Sequence, residues 1–220
     1  MAVATLYKIH PKTPQPRKIQ AVRDALKQGA VMLYPTDTVY AIGCDLNAKN
    51  AIKRVRQLKQ ITNDKPLTFL CSSLSNIASY AYVSDPAYRI IKHLIPGPYT
   101  FLLPATKSVP RLVMNPKRRT SGIRVPKSPI CTALIEALDN PIISTSALSV
   151  ARNPTEDDME ALSKADLFDR MEKQVDVILD SDAELEYQVS TILDLTGDYP
   201  QITRQGIGWQ TAVEWGAELT

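Results

Sequence analysis

Residues 30–45, AVMLYPTDTVYAIGCD, decide how the fold of this chain is interpreted. An apolar run from Ala30 to Tyr34 predicts a buried strand, and Pro35 should end it because proline has no N–H to donate to a ladder. Hydroxyl and carboxylate side chains follow at once, namely Thr36, Asp37, Thr38 and Tyr40. They would lie at the carboxyl end of a strand, where open α/β sheets bind ligands. A hydroxyl-rich turn that only caps the next element fits the same residues equally well.

The composition is that of a globular protein. With 220 residues, 44% hydrophobic and 22% charged, the chain fits one sizeable α/β domain or two small ones and is rich enough in apolar residues for a full core. No apolar stretch approaches the ~18 residues that a membrane span needs. The N-terminus also lacks the basic start, apolar core and cleavage site of a signal peptide. We therefore expect a soluble cytoplasmic protein with no membrane partner.

The cysteine and histidine residues argue against a metal centre. Cys44, Cys71 and Cys131 are far apart in the sequence, and each lies in or beside an apolar segment. Their spacing matches neither a metal site nor a disulfide framework, so buried free thiols in a reducing compartment are expected. His10 and His93 are the only histidines, too few for a histidine-rich site.

The basic residues are segregated from the acidic ones. The formal net charge of +3 is too small to indicate nucleic acid by itself, but acidic residues gather at 156–160 and 180–186. Segregation predicts one positive face, suited to a nucleotide or an RNA backbone; ordinary solvated faces of helices and loops are the plainer alternative. The candidate RNA-binding residues are Lys53, Arg56, Lys117, Arg118 and Arg119.

Strand and helix signals alternate along the chain. Strands are predicted at 30–34, 67–71, 99–103, 120–125, 142–146, 175–179, 191–195 and 201–204. Helices are predicted at 17–28, around 50–58 with Lys53, Arg54 and Arg56 turned outward, at 85–94, from Pro129 to Leu138, and after a capping box at 155–158. We therefore predict a single α/β domain over residues 1–220, with its core at about 17–206 and a largely parallel or mixed sheet.

Several familiar catalytic arrangements are missing from the sequence. There is no glycine-rich Walker loop, so phosphates would be held by lysines, arginines and helix N-termini. Ser144 and Ser146 end a strand, but not in a nucleophile-elbow context, and two histidines leave little scope for a Ser-His-Asp system.

Two pairs of residues are compatible with ligand binding. Lys59 and Lys65 flank a polar loop that could clamp a triphosphate or an RNA phosphate, although many surface loops carry two lysines. Thr120 and Arg124 share one face of a short strand, where the arginine could hold a carboxylate bidentately or could simply lie at the surface.

Six blocks, taken in order, resemble one known family. They are YPTDTVYAIGCD, KQITNDKPLTFLC, PGPYTFLL, TSGIRVP, ISTSALS and ITRQG. Together they are similar to the YrdC/YciO family, the threonylcarbamoyl-adenylate synthase group of tRNA modification. The resemblance covers about residues 17–206, and ordered matches are more specific than any single motif.

The resemblance implies a twisted open mixed sheet with flanking helices and a basic concave groove. Synthases of the family join L-threonine, bicarbonate and ATP into threonylcarbamoyl-AMP and release pyrophosphate. By position, the threonine site would comprise Thr38, Thr120 and Arg124, and the ATP site would comprise Lys59, Lys65, Ser144, Ser146 and Arg204. Mg²⁺ would accompany ATP, coordinated mainly through phosphates and water. No residue in the matching blocks is an obvious catalytic acid or base.

Two departures from the synthase pattern make the chain look closer to the YciO branch. Ile61 stands where synthases usually carry an arginine, and Leu148 stands where they carry an asparagine. Losing an arginine–phosphate contact typically costs about 1.5–3 kcal/mol, or one to two decades in affinity or rate. The first hypothesis is a synthase, which the loss of these two contacts would weaken. The second is a nucleotide- or RNA-binding module, for tRNA or double-stranded RNA, without synthesis. An unrelated small-molecule binder on the same fold comes third.

Overall fold

The computed structural model describes residues 3–60, 66–147, 163–184 and 187–219. Within them, eleven strands form one sheet. The strands are β1 Thr5–Lys8, β2 Val31–Tyr34, β3 Ala41–Asp45, β4 Thr68–Leu70, β5 Tyr99–Pro104, β6 Thr120–Arg124, β7 Ile142–Ser146, β8 Val177–Asp180, β9 Thr191–Asp194, β10 Gln201–Arg204 and β11 Glu218–Leu219. The helices are α1 Pro16–Lys27, α2 Lys49–Lys59, α3 Leu74–Ala78, α4 Asp85–Leu94, α5 Pro129–Leu138, α6 Lys164–Met171 and α7 Trp209–Glu214.

Local sequence signals account for the longer helices. Helix α1 has a proline in its first turn, buries Ile19, Val22 and Leu26 at helical spacing, and is followed by Gly29 at a φ of +93°. A positive φ is accessible to glycine without strain, so this residue ends the helix. Helices α4 and α5 both begin with a serine cap followed by proline in the first turn, as their Ser-Asp-Pro and Ser-Pro sequences predict.

The strand order is β1-β8-β2-β3-β7-β4-β6-β5-β9-β10-β11. The sheet is mixed, because β4 runs parallel to β6 whereas β3, β7 and β4 are successively antiparallel. The prediction of an α/β fold with an open mixed sheet is confirmed, and all the predicted strands are present. β7 lies between β3 and β4, so segments distant in the sequence meet at the centre of the sheet.

The sequence analysis missed some elements. β3 was overlooked although all five of its residues are buried, because it follows the hydroxyl cluster directly and its apolar run is short. β1, β11, α3, α6 and α7 were also missed; except for α6, each is six residues or shorter. The predicted capping box at 155–158 lies outside the described residues.

Each face of the sheet carries its own hydrophobic core. On one face, α1 and α5 pack over β8, β2, β3, β7 and β4, burying Leu26, Met32, Leu134 and Ile142 among others. On the other face, a larger core includes the apolar sides of α2 and α4 together with Phe101 of β5. No residue of β5, β6, β9 or β10 belongs to the α1–α5 core in the described chain. Those strands therefore present a stretch of sheet that α1 and α5 leave open.

The outward orientation predicted for Arg56 is wrong. Its exposure is only 7%, and its Nη1 donates a hydrogen bond to the backbone oxygen of Leu112 at 3.0 Å. A long aliphatic stem lets an arginine lie along an apolar helix face while its guanidinium binds a carbonyl. Arg56 therefore ties α2 to the segment before β6 and is poorly placed to contact RNA.

No helix in the described parts of the chain is both long enough and apolar enough to span a membrane.

The three cysteines are buried free thiols in the folded protein, as predicted. Burial raises the pKa of Cys44, Cys71 and Cys131 to about 12. Because the thiolate is the reactive form, we expect the native protein at pH 8 to react negligibly with a chromogenic disulfide reagent. The same protein in guanidinium chloride should titrate three thiols. A thiol that reacts rapidly in the native state would contradict the burial described here.

Candidate functional site

A cavity of about 520 Å³ lies on the face of the sheet that carries α1 and α5, where the partly covered strands β7 and β4 adjoin the open ones. Its volume is in the range typical of small-molecule sites. The floor is formed by side chains of β7, β4, β6, β5 and β9, and the loop after β2, the end of α2 and the end of β10 contribute further walls. The cavity thus lies where several distant segments of the chain converge.

Strand register explains how the floor of the cavity is formed. Ser144, Thr68, Gly122 and Leu102 lie side by side on four neighbouring strands, so their side chains emerge on the same face. Gly122 has no side chain, and a Cβ built there would lie 3.2 Å from the Thr68 hydroxyl oxygen. The three small residues of this row, Ser144, Thr68 and Gly122, leave room for a ligand above the floor.

Arg124 is held at the end of β6 by the loop that follows β2. Its Nη1 donates to the Thr38 hydroxyl at 3.0 Å, and its Nη2 donates to Asp37 Oδ1 at 2.6 Å. The two charged side chains are only 8% and 10% exposed. The other Asp37 oxygen accepts from the backbone N–H of Lys127 at 2.9 Å. A buried charge needs such partners, so the Asp37 carboxylate fixes the arginine at the cavity wall.

Arg204 brings a second guanidinium to the same cavity. It donates to the backbone oxygen of Ser190 at 3.0 and 2.8 Å and to the Ser190 hydroxyl at 3.0 Å. Partial burial, and then the positive charge of Arg124, lower the pKa of Arg204 below its usual value. Two guanidiniums that repel each other across a cavity favour an anionic ligand between them.

Among the described residues, Lys59 completes a set of three cations around the cavity. Its Nζ lies 3.3 Å from the backbone oxygen of Ser146, to which it donates a hydrogen bond. No acidic side chain is among the described residues that line the cavity. Together with the hydroxyls of Thr38, Ser144 and Ser146, this lining suits carboxylate and phosphate groups.

The structure brings together most of the residues predicted for the two subsites. Thr38 and Arg124 from the threonine set line the cavity, as do the four described residues of the ATP set, Lys59, Ser144, Ser146 and Arg204. Thr120 does not line it. Thr120 is buried at the start of β6, opposite Pro104 and bridged to Asn115. Lys65, Ile61 and Leu148 lie outside the described residues.

The remaining RNA candidates are on the surface. Lys53, Lys117 and Arg119 are exposed, and Arg118 is paired with Asp194 at 2.6 Å. Burial raises the pKa of Asp194, but hydrogen bonds from Thr196 and Arg118 outweigh it and lower the value overall. Arg118 therefore has a structural partner, which leaves Lys117 and Arg119 as the more available cations of this segment.

Sequence reasoning missed several residues of the cavity. Gly122, Thr68, Thr100 and Ser190 all line it, and the Thr100 and Ser190 hydroxyls lie 3.0 Å apart. The available signal was a threonine interrupting each of two otherwise apolar strands, LTFL and YTFLL. Asp37 was noticed in the hydroxyl cluster, but its pairing with Arg124 was not foreseen.

The described residues contain no group of three or more histidine, cysteine, aspartate or glutamate side chains arranged to hold a metal ion. Asp37, the carboxylate paired with the cavity residue Arg124, is already engaged by that arginine and by the Lys127 N–H. A Mg²⁺ ion bound together with a nucleotide would keep phosphate oxygens and water as its main ligands.

The sequence of this chain is similar to those of one known protein family. The Sua5/YciO/YrdC family model, described as "Telomere recombination", matches residues 24–206. YciO of Escherichia coli, an uncharacterized protein, is 40% identical over 206 residues, covering 94% of this chain and 97% of that protein. The threonylcarbamoyl-AMP synthase of Vibrio vulnificus is 30% identical over 191 residues, covering 86% of this chain and 98% of the synthase.

Solved structures agree with the fold. The crystal structure of E. coli YciO has a TM-score of 0.84 at 38% identity and covers 93% of this chain and 96% of that one. The crystal structure of P. abyssi Sua5 complexed with L-threonine has a TM-score of 0.83 at 24% identity, covering 99% of this chain but 63% of Sua5. The second similarity concerns the fold alone.

Proposed function

This chain belongs to the Sua5/YciO/YrdC family, and from that membership we propose that it is an ATP-dependent threonylcarbamoyl-AMP synthase. Its substrates would be L-threonine, bicarbonate and ATP, and its product would serve the threonylcarbamoyladenosine modification of tRNA. The alignment with a relative named threonylcarbamoyl-AMP synthase covers 86% of this chain, and this similarity supports the reaction class.

One observation carries the proposal more than any other. The described charged side chains that line the cavity are three cations, Lys59, Arg124 and Arg204. They come from three separate elements and surround a floor of small and hydroxyl-bearing residues. A site for one carboxylate, one bicarbonate and one triphosphate needs this excess of positive charge, because each ligand brings negative charge into a partly enclosed space.

The mechanism we propose is mainly positioning and charge stabilisation. Arg124 and Thr38 hold threonine while its amine attacks bicarbonate, giving a carbamate and releasing water. A carbamate oxygen then attacks the α-phosphorus of ATP and the bond to the β-phosphate oxygen breaks, so the products are threonylcarbamoyl-AMP and pyrophosphate. Lys59 and Arg204 stabilise the negative charge that builds on the leaving pyrophosphate. Bound Mg²⁺ would supply further neutralisation of the phosphates.

The test is pyrophosphate release by the purified protein with ATP, Mg²⁺, bicarbonate and L-threonine, against matched reactions that lack threonine or bicarbonate. We expect pyrophosphate release to require both threonine and bicarbonate, because the nucleophile is the carbamate that forms from the threonine amine and bicarbonate. Mass spectrometry should detect the threonylcarbamoyl adenylate. Pyrophosphate release that does not depend on threonine would indicate a different nucleotide reaction and would contradict the proposal.

A second candidate is favoured by the two departures in the sequence. Ile61 and Leu148 supply neither charge nor a hydrogen bond where synthases carry arginine and asparagine, and the 40% identical YciO is not named as a synthase. The candidate is a nucleotide- or RNA-binding module without synthesis, for which tRNA or double-stranded RNA would be the partner. RNA affinity that falls steeply with salt, together with no threonine-dependent pyrophosphate release, would select it.

A further inference from the structure

Tyr34 lies beside the cavity and contacts one of its lining residues across a gap that a glycine leaves. Its ring is fully buried at the end of β2. A Cβ at Gly43 would lie 2.9 Å from the Tyr34 Cε1 atom and 2.9 Å from Ile142 Cγ2. The absence of that Cβ lets the ring cross β3 and place its hydroxyl 2.6 Å from the Ser144 Oγ on β7. Tyr34 does not line the cavity, but Ser144 does.

A count of hydrogens decides which of the two hydroxyls donates. Each carries one hydrogen, and the described residues offer no other hydrogen-bond partner to either hydroxyl. If Ser144 donated, the Tyr34 hydrogen would be left unpaired inside the core, an arrangement that carries the full desolvation penalty. If Tyr34 donates, the hydrogen left over belongs to Ser144, which faces the cavity. Burial therefore favours Tyr34 as the donor.

The same burial keeps Tyr34 protonated. Desolvation raises the pKa of Tyr34 well above its usual value, and it is the first of the causes. The phenol hydrogen therefore stays in place throughout the physiological pH range. Ser144 is then a hydroxyl whose oxygen is already accepting and whose hydrogen is directed to the cavity.

We propose that Tyr34 is a positioning residue that sets Ser144 as a hydrogen-bond donor to a phosphate group of the bound nucleotide. The inference rests on the proposed function for the identity of the ligand. The guanidiniums of Arg124 and Arg204 give the cavity its preference for anions, and a preset donor adds to that preference because it needs no rotation on binding. Nothing in the sequence block around Tyr34 distinguishes this role from that of an ordinary core tyrosine.

A double-mutant cycle tests the inference. The variants are Tyr34→Phe, Ser144→Ala and the double variant, and calorimetry measures their affinity for ATP with Mg²⁺ and for pyrophosphate. We expect Tyr34→Phe to weaken ATP binding about three- to tenfold in the wild-type background and to have no further effect once Ser144 is alanine. Tyr99→Phe is the matched control, because it removes another tyrosine hydroxyl whose hydrogen bond, to the Gly208 backbone oxygen, lies outside the cavity lining.

Thermal unfolding of the same variants tests the buried pairing of the two hydroxyls without any ligand. Ser144→Ala leaves the buried Tyr34 hydrogen unpaired, so we expect Tm to fall by about 4–8 °C. Adding Tyr34→Phe should recover most of that loss, since both partners are then apolar.

Each outcome decides the matter. Equal effects of Tyr34→Phe with and without Ser144, or no recovery of Tm in the double variant, would overturn the positioning role while leaving the proposed function standing. Wild-type protein that binds neither ATP nor pyrophosphate would overturn the proposed function and this inference together.

Discussion

Replacing Arg124 with alanine is expected to lower the affinity for L-threonine about ten- to a hundredfold. A hydrogen bond to a charged group contributes about 1.5–3 kcal/mol, and each 1.4 kcal/mol corresponds to about a tenfold change in affinity. The guanidinium is also the group that joins the loop after β2 to the end of β6, through Asp37 and Thr38. Calorimetric titration with threonine provides the measurement.

The substitution has a structural consequence that must be separated from the loss of binding. Without Arg124, the buried Asp37 carboxylate keeps the Lys127 N–H as its one remaining partner among the described residues, and breaking a buried ion pair costs about 3–5 kcal/mol. The double variant Asp37→Asn with Arg124→Ala removes the unpaired charge. It should recover part of the lost Tm while threonine binding remains weak.

A matched control is available on the surface. Arg111 is exposed, so Arg111→Ala changes the same net charge and should leave threonine affinity within about twofold. If the Asp37→Asn, Arg124→Ala protein folds and binds threonine as the wild type does, Arg124 does not hold the amino acid and the threonine site lies elsewhere.

Replacing Gly206 with alanine should produce the largest loss of stability from a single added methyl group. A Cβ at Gly206 would lie 2.6 Å from the Ser190 backbone oxygen and closer still to the Val189 backbone oxygen. Backbone atoms cannot move aside as a flexible side chain can, so the end of β10 must shift. Overpacking of this kind costs about 3 kcal/mol, which for a protein of this size lowers Tm by about 6–12 °C.

The shift should also weaken the cavity, because Arg204 is held by the Ser190 oxygen atoms. Weaker ATP binding in the Gly206→Ala protein, measured below its lowered Tm, is therefore expected. The matched control is Gly197→Ala, where the new Cβ would meet nothing within 4 Å and Tm should stay within about 2 °C. Equal Tm values for the two variants would contradict this prediction, because they would show that the Ser190 backbone does not crowd a Cβ at position 206.

Much of the fold followed from local patterns because the physics that sets them is local. Pro35 ends β2, serine and proline begin α4 and α5, and Gly29 ends α1, each through the backbone chemistry of one or two residues. Strand β3 was missed because a short buried run has no periodicity to distinguish it. Arg56 was assigned to the surface from helical spacing alone. Helical spacing cannot predict that another segment brings the Leu112 carbonyl close to the guanidinium.

The sequence by itself determined where most of the longer strands and helices begin and end, which of their faces are apolar, and which residue types were available for a ligand. Only the tertiary structure decided that Asp37 fixes Arg124, that Arg204 faces the same cavity, that Thr120 lies outside it, and that Tyr34 reaches Ser144 across Gly43. These relations depend on strand order and register, since the insertion of β7 between β3 and β4 sets residues more than a hundred positions apart side by side. Register is selected by the packing of the whole sheet, and no local pattern of residues specifies it.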